Sequence, residues 1–559
     1  MQGDRSWSWQ AQSSRTSSLV VMATVNEAVP AASAIYRERL RACRAGRHAL
    51  VSTLVPRSLT KPSTGDLVAG LSVALVALPQ SLAYAELAGL PAQLGLFASA
   101  LPSILAAAFV SSRYLQTGPV ALTALLTFGV LTPLADEGTP EYIAMAALLA
   151  LLVGVFRVLL GLIHMGRVAY LLSEPVLIGF TTGAAIIIIS SQIPRLFDYD
   201  AGEGSTLENA AEALVSPGDW ALGAIGFSVL TWICVFGGRR LHRLVPGVLI
   251  AVVLGVIISS AIDFDGTTVG ELDGGFLSLQ FDFPWDRTGD LVIGAIAIAL
   301  VGFAEPSSIA RTFAATERQP WNADKEMISQ GVANLAAAVS GAFPVGGSFS
   351  RSSLNHMAGA TSPWAGAITG LIVLAALPLM PVLEPLPSAI LGAIVVGAVV
   401  KLIRIGDLIG LIRQSAPQAV VGLGTLLATL LSAPRVERGV LIGIGLALSV
   451  HLIRELRVTA KSHVDDGLLT IEPQGVLWFA TVPQIEKLMR DAVTENPDIG
   501  AISIDLAGVG RLDYTGAVTL KRVVEEFSLA GLVVIICNVP PAAQRAVSIH
   551  LGEHCAEVD

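Results

Sequence analysis

Glu305 stands alone in the run Leu291 to Ala310, which carries no other charged residue. An ionisable group inside so apolar a segment is costly unless it faces a cavity or a partner, and a bound proton removes that cost. The residue type and setting therefore suit proton coupling. The competing readings are a side chain snorkelling from a helix end, which Pro306 directly after it supports, and a structural hydrogen bond. The second feature is a pair of segments, Gly118-Pro119-Val120-Ala121-Leu122-Thr123 and Pro344-Val345-Gly346-Gly347-Ser348-Phe349-Ser350-Arg351-Ser352. A helix starting in each would leave its first N–H groups unpaired and carry a partial positive charge, so two starts converging would hold an anion. Glycine admits close backbone approach, Ser348 and Ser350 supply hydroxyl donors, and Arg351 adds a full positive charge at the site or just behind it. The same Gly-Pro and Gly-Gly pairs also simply punctuate loops. Gln80, behind Pro79, either donates to a ligand oxygen or satisfies backbone freed by the proline. His451 reads as structural, and His554 and Cys555 as surface residues.

Positioning such groups falls to a membrane-embedded framework. Of 559 residues, 53% are hydrophobic and only 14% charged, which excludes an ordinary cytosolic enzyme. About fourteen apolar segments lie near 67–85, 89–110, 118–135, 141–163, 174–194, 220–237, 245–262, 288–310, 324–343, 348–360, 362–383, 388–403, 416–432 and 437–456. The third and tenth read as half-helices entering mid-membrane. Each is third in its half if the halves hold seven segments, which points to an inverted repeat with its site between the two. Arg113, Arg167, Arg311, Lys325 and Arg413 fall in loops on one side, and Asp136, Asp200, Asp265 and Asp282 on the other, so both termini read as cytoplasmic. Residues 1–62 form a basic cytoplasmic N-terminal arm with no signal peptide; an Arg- and Ser-rich, acid-poor start also fits a transit peptide, or a true start at Met22. After Lys461, strand-like runs at Leu468 to Ile471, Val476 to Phe479, Ala501 to Asp505 and Leu532 to Cys537 alternate with helical stretches at 483–495, 515–529 and 541–551, a small α/β domain. The net charge of −9 argues against a nucleic-acid partner, and four scattered cysteines give neither metal spacing nor a disulfide framework. With no Walker lysine loop, GxGxxG, zinc set or nucleophile elbow, neither an ATP-driven pump nor an enzyme is expected, and no catalytic, cofactor or metal site is assigned.

These motifs together resemble a known family. Asp66-Leu67-Val68-Ala69-Gly70, then Pro79-Gln80-Ser81-Leu82-Ala83-Tyr84-Ala85, Gly89-Leu90-Pro91 and Gly95-Leu96-Phe97, are similar to the opening of the SulP anion transporters, the sulfate permease and solute carrier 26 group. The resemblance continues through Thr117-Gly118-Pro119-Val120-Ala121, Gly302-Phe303-Ala304-Glu305 and Phe343-Pro344 to Ser348 through Asn355. The tail is similar to STAS domains, with Asp505 to Gly516 as their signature loop. The resemblance implies a polytopic α-helical membrane protein of about fourteen spans, a seven-plus-seven inverted repeat with a core domain (spans 1 to 4 and 8 to 11) and a gate domain (5 to 7 and 12 to 14). It implies three regions: the arm at 1–62, the transmembrane anion transporter domain at 63–460 and the STAS domain at 461–559. It further implies an elevator-like motion in a homodimer, with Gln80, Pro119, Val120, Ala121, Phe349 and Ser350 around the anion, Arg351 contributing field and Glu305 as the proton-coupling acid. Pro306 stands where many relatives have Ser, and Gly346 where many have Thr. In the tail, Thr515 lies where regulatory STAS domains carry a phosphorylated hydroxyl; alternatively Asp513 and Thr515 cap the following helix. The implied function is proton-coupled sulfate symport in the plasma (inner) membrane. Bicarbonate or C4-dicarboxylate transport, an anion exchanger or channel, a nucleobase permease of the same fold, and a non-transporting anchor with a signalling STAS domain are the alternatives.

Overall fold

A computed structural model describes residues 61–167, 173–202, 204–241, 245–272, 275, 277, 279–455 and 459–555. The basic arm at 1–62 lies outside the described residues except for its last two. The chain divides into two units, residues up to 171 with 188–400, and 172–187 with 401–559, and each is described by itself.

Helix formation in the first unit follows the apolar segments closely, because each is long, poor in charge and bounded by turn residues. In chain order come α1 (Thr64–Leu87), α2 (Gln93–Phe109), the two-residue strand β1 (Thr117–Gly118), α3 (Ala121–Leu131), α4 (Pro140–Leu162), α5 (Glu174–Phe197, which crosses the division), α6 (Thr206–Val215), α7 (Leu222–Trp232) and α8 (Gly247–Ala261). Then follow α9 (Thr288–Thr316), α10 (Ala323–Val339), strand β2 (Gly346–Gly347), α11 (Phe349–Met357), α12 (Trp364–Ala376) and α13 (Ser388–Val399). Seven helical stretches among the described residues are long and apolar enough to cross a membrane, and α2, α3, α7, α8 and one later helix are shorter apolar ones. Two prolines do less than the sequence suggests. Pro79 does not interrupt α1, and Pro306 does not end α9, which runs on to Thr316. Each proline deletes one ladder bond, a loss that packing against neighbouring helices covers. Glu305 is therefore a mid-helix residue, and the helix-end explanation for it falls. Helix α6 was not foreseen, although Ser205 and Glu208 form a capping box at its start.

The start of α1 is pinned by Asp66, which is fully buried. Its carboxylate accepts from the Ser63 N–H at 2.9 Å, the Thr361 N–H at 2.7 Å, and the Ser362 N–H and hydroxyl at 2.9 and 2.8 Å. These bonds tie α1 to the turn between α11 and α12. Asp66→Asn keeps one acceptor oxygen and aims an amide at donors, so we expect a loss of about 3 kcal/mol, read as a lowered apparent melting temperature of the detergent-solubilised protein.

The second unit holds α14 (Ile405–Gln414), α15 (Ala416–Leu431) and α16 (Val436–Glu455), then β3 (Thr459–Asp465), β4 (Leu468–Leu477), α17 (Val482–Glu495), β5 (Ala501–Asp505), β6 (Val509–Leu512), α18 (Tyr514–Leu529), β7 (Val533–Cys537) and α19 (Pro541–His550). Helix α14 replaces the loop expected around Arg413. Ile405, Ile409 and Ile412 recur along one exposed face while Leu408 is buried, the pattern of a helix lying in a membrane interface. The sheet order is β3-β4-β5-β7, with β6 beside the far half of β4; β3 is antiparallel to β4, and the other pairs are parallel. The two runs read separately at Leu468 to Ile471 and Val476 to Phe479 are one strand to Leu477, bent where the register shifts at Gly475 and Val476. Leu469, Ile471, Ile502 and Ile504 form its core with Ile485, Met489, Leu520 and Val524 from the helices.

Candidate functional site

Strands β1 and β2 meet antiparallel, Thr117 opposite Gly347 and Gly118 opposite Gly346. The Ser348 N–H extends the pairing to the Gln116 carbonyl at 2.9 Å, and the Gln116 N–H donates to Ser352 Oγ at 2.9 Å. Each strand leads directly into a short helix, 11 residues in α3 and nine in α11, so the crossing sets two helix N-termini side by side. The cap residue of α3 is Val120, whose side chain has no oxygen to offer, and the first N–H groups of that helix have no side-chain cap. Ser348 caps α11 by accepting from the Arg351 N–H at 3.4 Å.

Arg351 joins the two starts. It is 1% exposed, and its Nη2 donates to the Pro119 carbonyl at 2.7 Å, while its Nε has no hydrogen-bond partner among the described residues. Gly118 is required here on two grounds. Its φ is +154°, and a Cβ at this position would fall 2.9 Å from Arg351 Nη1. Glu305 on α9, partly exposed, and Tyr84 on α1, buried, both lie within the electrostatic reach of the Arg351 guanidinium. Gln80 lies one turn before Tyr84 on α1, which packs against both α3 and α11. Pro119, Val120 and Ala121 are buried, whereas Phe349 and Ser350 are exposed. The structure thus gathers Pro119, Val120, Ala121, Phe349, Ser350 and Arg351 at one crossing, with Glu305 beside it and Gln80 on the adjoining helix. Pro306 packs on the same crossing: a Cβ on Gly347 would fall 3.0 Å from Pro306 Cβ.

Thr515 belongs to the second unit. Its hydroxyl donates to Asp513 Oδ1 at 3.1 Å, and Asp513 caps α18 by accepting from the Gly516 N–H at 2.6 Å. Among the described residues no cluster of His, Cys, Asp and Glu could hold a metal ion.

Sequence reasoning missed the residues that hold the crossing in place. Asn334 brackets Val345, accepting from its N–H and donating to its carbonyl, both at 3.0 Å. Gln330 Nε2 donates to Thr117 Oγ1 at 2.8 Å, and the Ser103 hydroxyl to the Thr117 carbonyl at 2.7 Å. Arg157, fully buried in α4, donates through Nε to the Ala299 carbonyl at 3.1 Å, Nη1 to Val345 at 3.0 Å and Nη2 to Ile298 at 3.0 Å. Its signal was present, since Arg157 is the lone charge in the run Tyr142 to Ile163 and is as anomalous there as Glu305 is in its own run.

The sequence model of the sulfate permease family matches residues 64–425. The chain belongs to that family. A STAS domain model matches residues 459–553. The transporter is 33% identical over 497 residues to a probable sulfate transporter of Mycobacterium tuberculosis, covering 82% of this chain and 87% of that one. It is 29% identical over 513 residues to the chloroplastic sulfate transporter 4.1 of Arabidopsis thaliana, covering 85% and 75%. Its fold is similar to that of the murine solute carrier 26 family member A9 anion transporter in the inward-facing state, with a TM-score of 0.82 at 21% identity over 90% of this chain and 92% of the other. The transmembrane domain of a cyanobacterium bicarbonate transporter gives 0.59 at 22% identity, over 69% and 97%. The protein is accordingly an integral membrane anion transporter with a STAS domain, and not an enzyme.

Proposed function

We propose that the protein is a proton-coupled sulfate symporter that carries its anion by an elevator-like alternation of access. The observation that carries this reading is the crossing of β1 and β2, which sets two helix N-termini together with a buried arginine between them and a carboxylate in its field. In this reading Gln80, Pro119, Val120, Ala121, Phe349 and Ser350 surround the anion, with the open N–H groups of α3 as donors and Arg351 as the direct charge. Glu305 takes the proton. An anion arriving beside an ionised Glu305 raises the cost of that charge, so proton and anion each favour the binding of the other, by equal amounts. The inward proton gradient then drives accumulation.

The architecture goes with this mechanism: a seven-plus-seven inverted repeat in a homodimer, embedded in the lipid of the plasma (inner) membrane with both termini cytoplasmic. The arm at 1–62, the transporter domain at 63–460 and the STAS domain at 461–559 are its three regions, the last a scaffold for dimerisation and regulation. Thr515 is exposed, as a phosphorylated regulatory hydroxyl has to be.

Uptake of radiolabelled sulfate into proteoliposomes, competed with unlabelled sulfate, bicarbonate, fumarate, chloride and uracil, tests the substrate. The reading expects saturable uptake blocked most strongly by sulfate. Uptake blocked instead by bicarbonate, fumarate or uracil would reassign the substrate.

A further inference from the structure

Arg157 has a place in the site that direct contact with an anion does not explain. Its guanidinium is fully buried, and its three hydrogen-bonding partners are backbone carbonyls, two on α9 and one just before β2. Carbonyl dipoles satisfy the N–H groups but leave the formal charge whole, and a guanidinium keeps its proton in proteins. Gly302 makes the approach possible: a Cβ there would fall 2.6 Å from Arg157 Nη2 and 3.3 Å from Cγ2 of Thr123, in the first turn of α3. The charge thus lies close behind the first turn of α3, and its hydrogen-bond partners among the described residues include no carboxylate.

The fully buried carboxylates of this unit do not offset it. Asp66 and Glu326 each stand in the first turn of a helix and accept from donors there, Glu326 from the Ser112 N–H and the Trp321 indole. The charged and titratable groups bearing on Glu305 are Tyr84 from α1 and Arg351 from α11, while Arg157 from α4 reaches Gly302, about one turn before Glu305 on α9. Helix α3 and strand β2 contain no titratable residue, and the charged residues of α10 lie in its first turn.

We propose that Arg157 is a positioning and charge-selecting residue: it clamps Val345 to the Glu305 helix and adds a second fixed positive charge, so that the crossing matches a monoanion while Glu305 is ionised and a dianion once Glu305 is protonated. The inference rests on the symport reading and deepens it, by making the valence of the anion set the number of protons bound. A dianion interacts with the Arg157 charge twice as strongly as a monoanion does, so removing that charge costs the dianion more.

The test measures binding of sulfate, fumarate and chloride to the purified protein by calorimetry in two buffers of different ionisation enthalpy, for the unmodified chain, Arg157→Gln and Arg157→Lys. The unmodified protein should take up a proton with each dianion and none with chloride. Arg157→Gln should lower sulfate affinity about tenfold more than chloride affinity, and Arg157→Lys should restore most of that ratio. Equal losses for both anions, unrescued by lysine, would make the residue merely structural. Should a variant fail to fold, equal proton uptake with sulfate and chloride in the unmodified protein would still overturn the proposal. One-proton uptake with fumarate but no sulfate binding would uphold the charge count and remove only the sulfate assignment.

Discussion

Glu305→Gln is expected to abolish the accumulation of sulfate under an imposed inward proton gradient while leaving anion exchange measurable. The substitution removes the titrating group yet keeps its size and a polar end, so the crossing of β1 and β2, Arg351 and the open start of α3 all stay in place. Each pH unit across the membrane supplies about 1.4 kcal/mol per coupled proton, about a tenfold accumulation, and the variant forfeits all of it. Sulfate uptake with and without the gradient, alongside exchange of internal for external sulfate, measures both terms. Unchanged gradient-driven accumulation would remove Glu305 from the coupling step. The continuity of α9 through Pro306 strengthens the expectation, because a mid-helix carboxylate cannot escape to an interface as one at a helix end can.

Arg351→Gln carries the second large effect. The buried guanidinium both supplies charge and bridges the two helix starts through the Pro119 carbonyl. Deleting one member of a buried charged arrangement costs about 3–5 kcal/mol, so we expect sulfate affinity to fall roughly 150- to 5,000-fold. Arg351→Lys keeps the charge but cannot span the same fork, and should recover only part of the loss. Equilibrium binding, with a thermal melt to confirm folding, separates the site effect from a packing effect; wild-type affinity in a folded Arg351→Gln protein would mean that the helix starts alone hold the anion.

What could be read from the sequence divides by physical cause. Every apolar segment carries a helix, because the bilayer demands long uncharged runs and those stand out from everything around them. The starts of the short helices at Ala121 and Phe349 are legible from glycine and proline just before them. Pro79 and Pro306 misled, since local breaking tendency says nothing of the packing that absorbs one missing bond. Helix α14 is hard to see in the sequence because Arg413 looks like a loop charge and the isoleucines recur on one face only. Strand β3 has almost no buried positions to alternate with exposed ones, and β6 lies within a segment read as a loop. Glu305 and Arg351, to which the proposal gives the chemistry, are evident as charge and as motif, whereas Asn334 and Gln330 act through partners far away in sequence that no local pattern reveals. Arg157 is different in kind: it was visible as a charge in an apolar run, and only its carbonyl partners gave it a role.

The central claim is that proton and anion move together, and it is tested most directly by following the pH inside proteoliposomes when sulfate is added outside at zero initial pH gradient. Symport predicts internal acidification that depends on sulfate, saturates with it and vanishes in Glu305→Gln. Sulfate uptake of the same size with no change in internal pH would contradict the account.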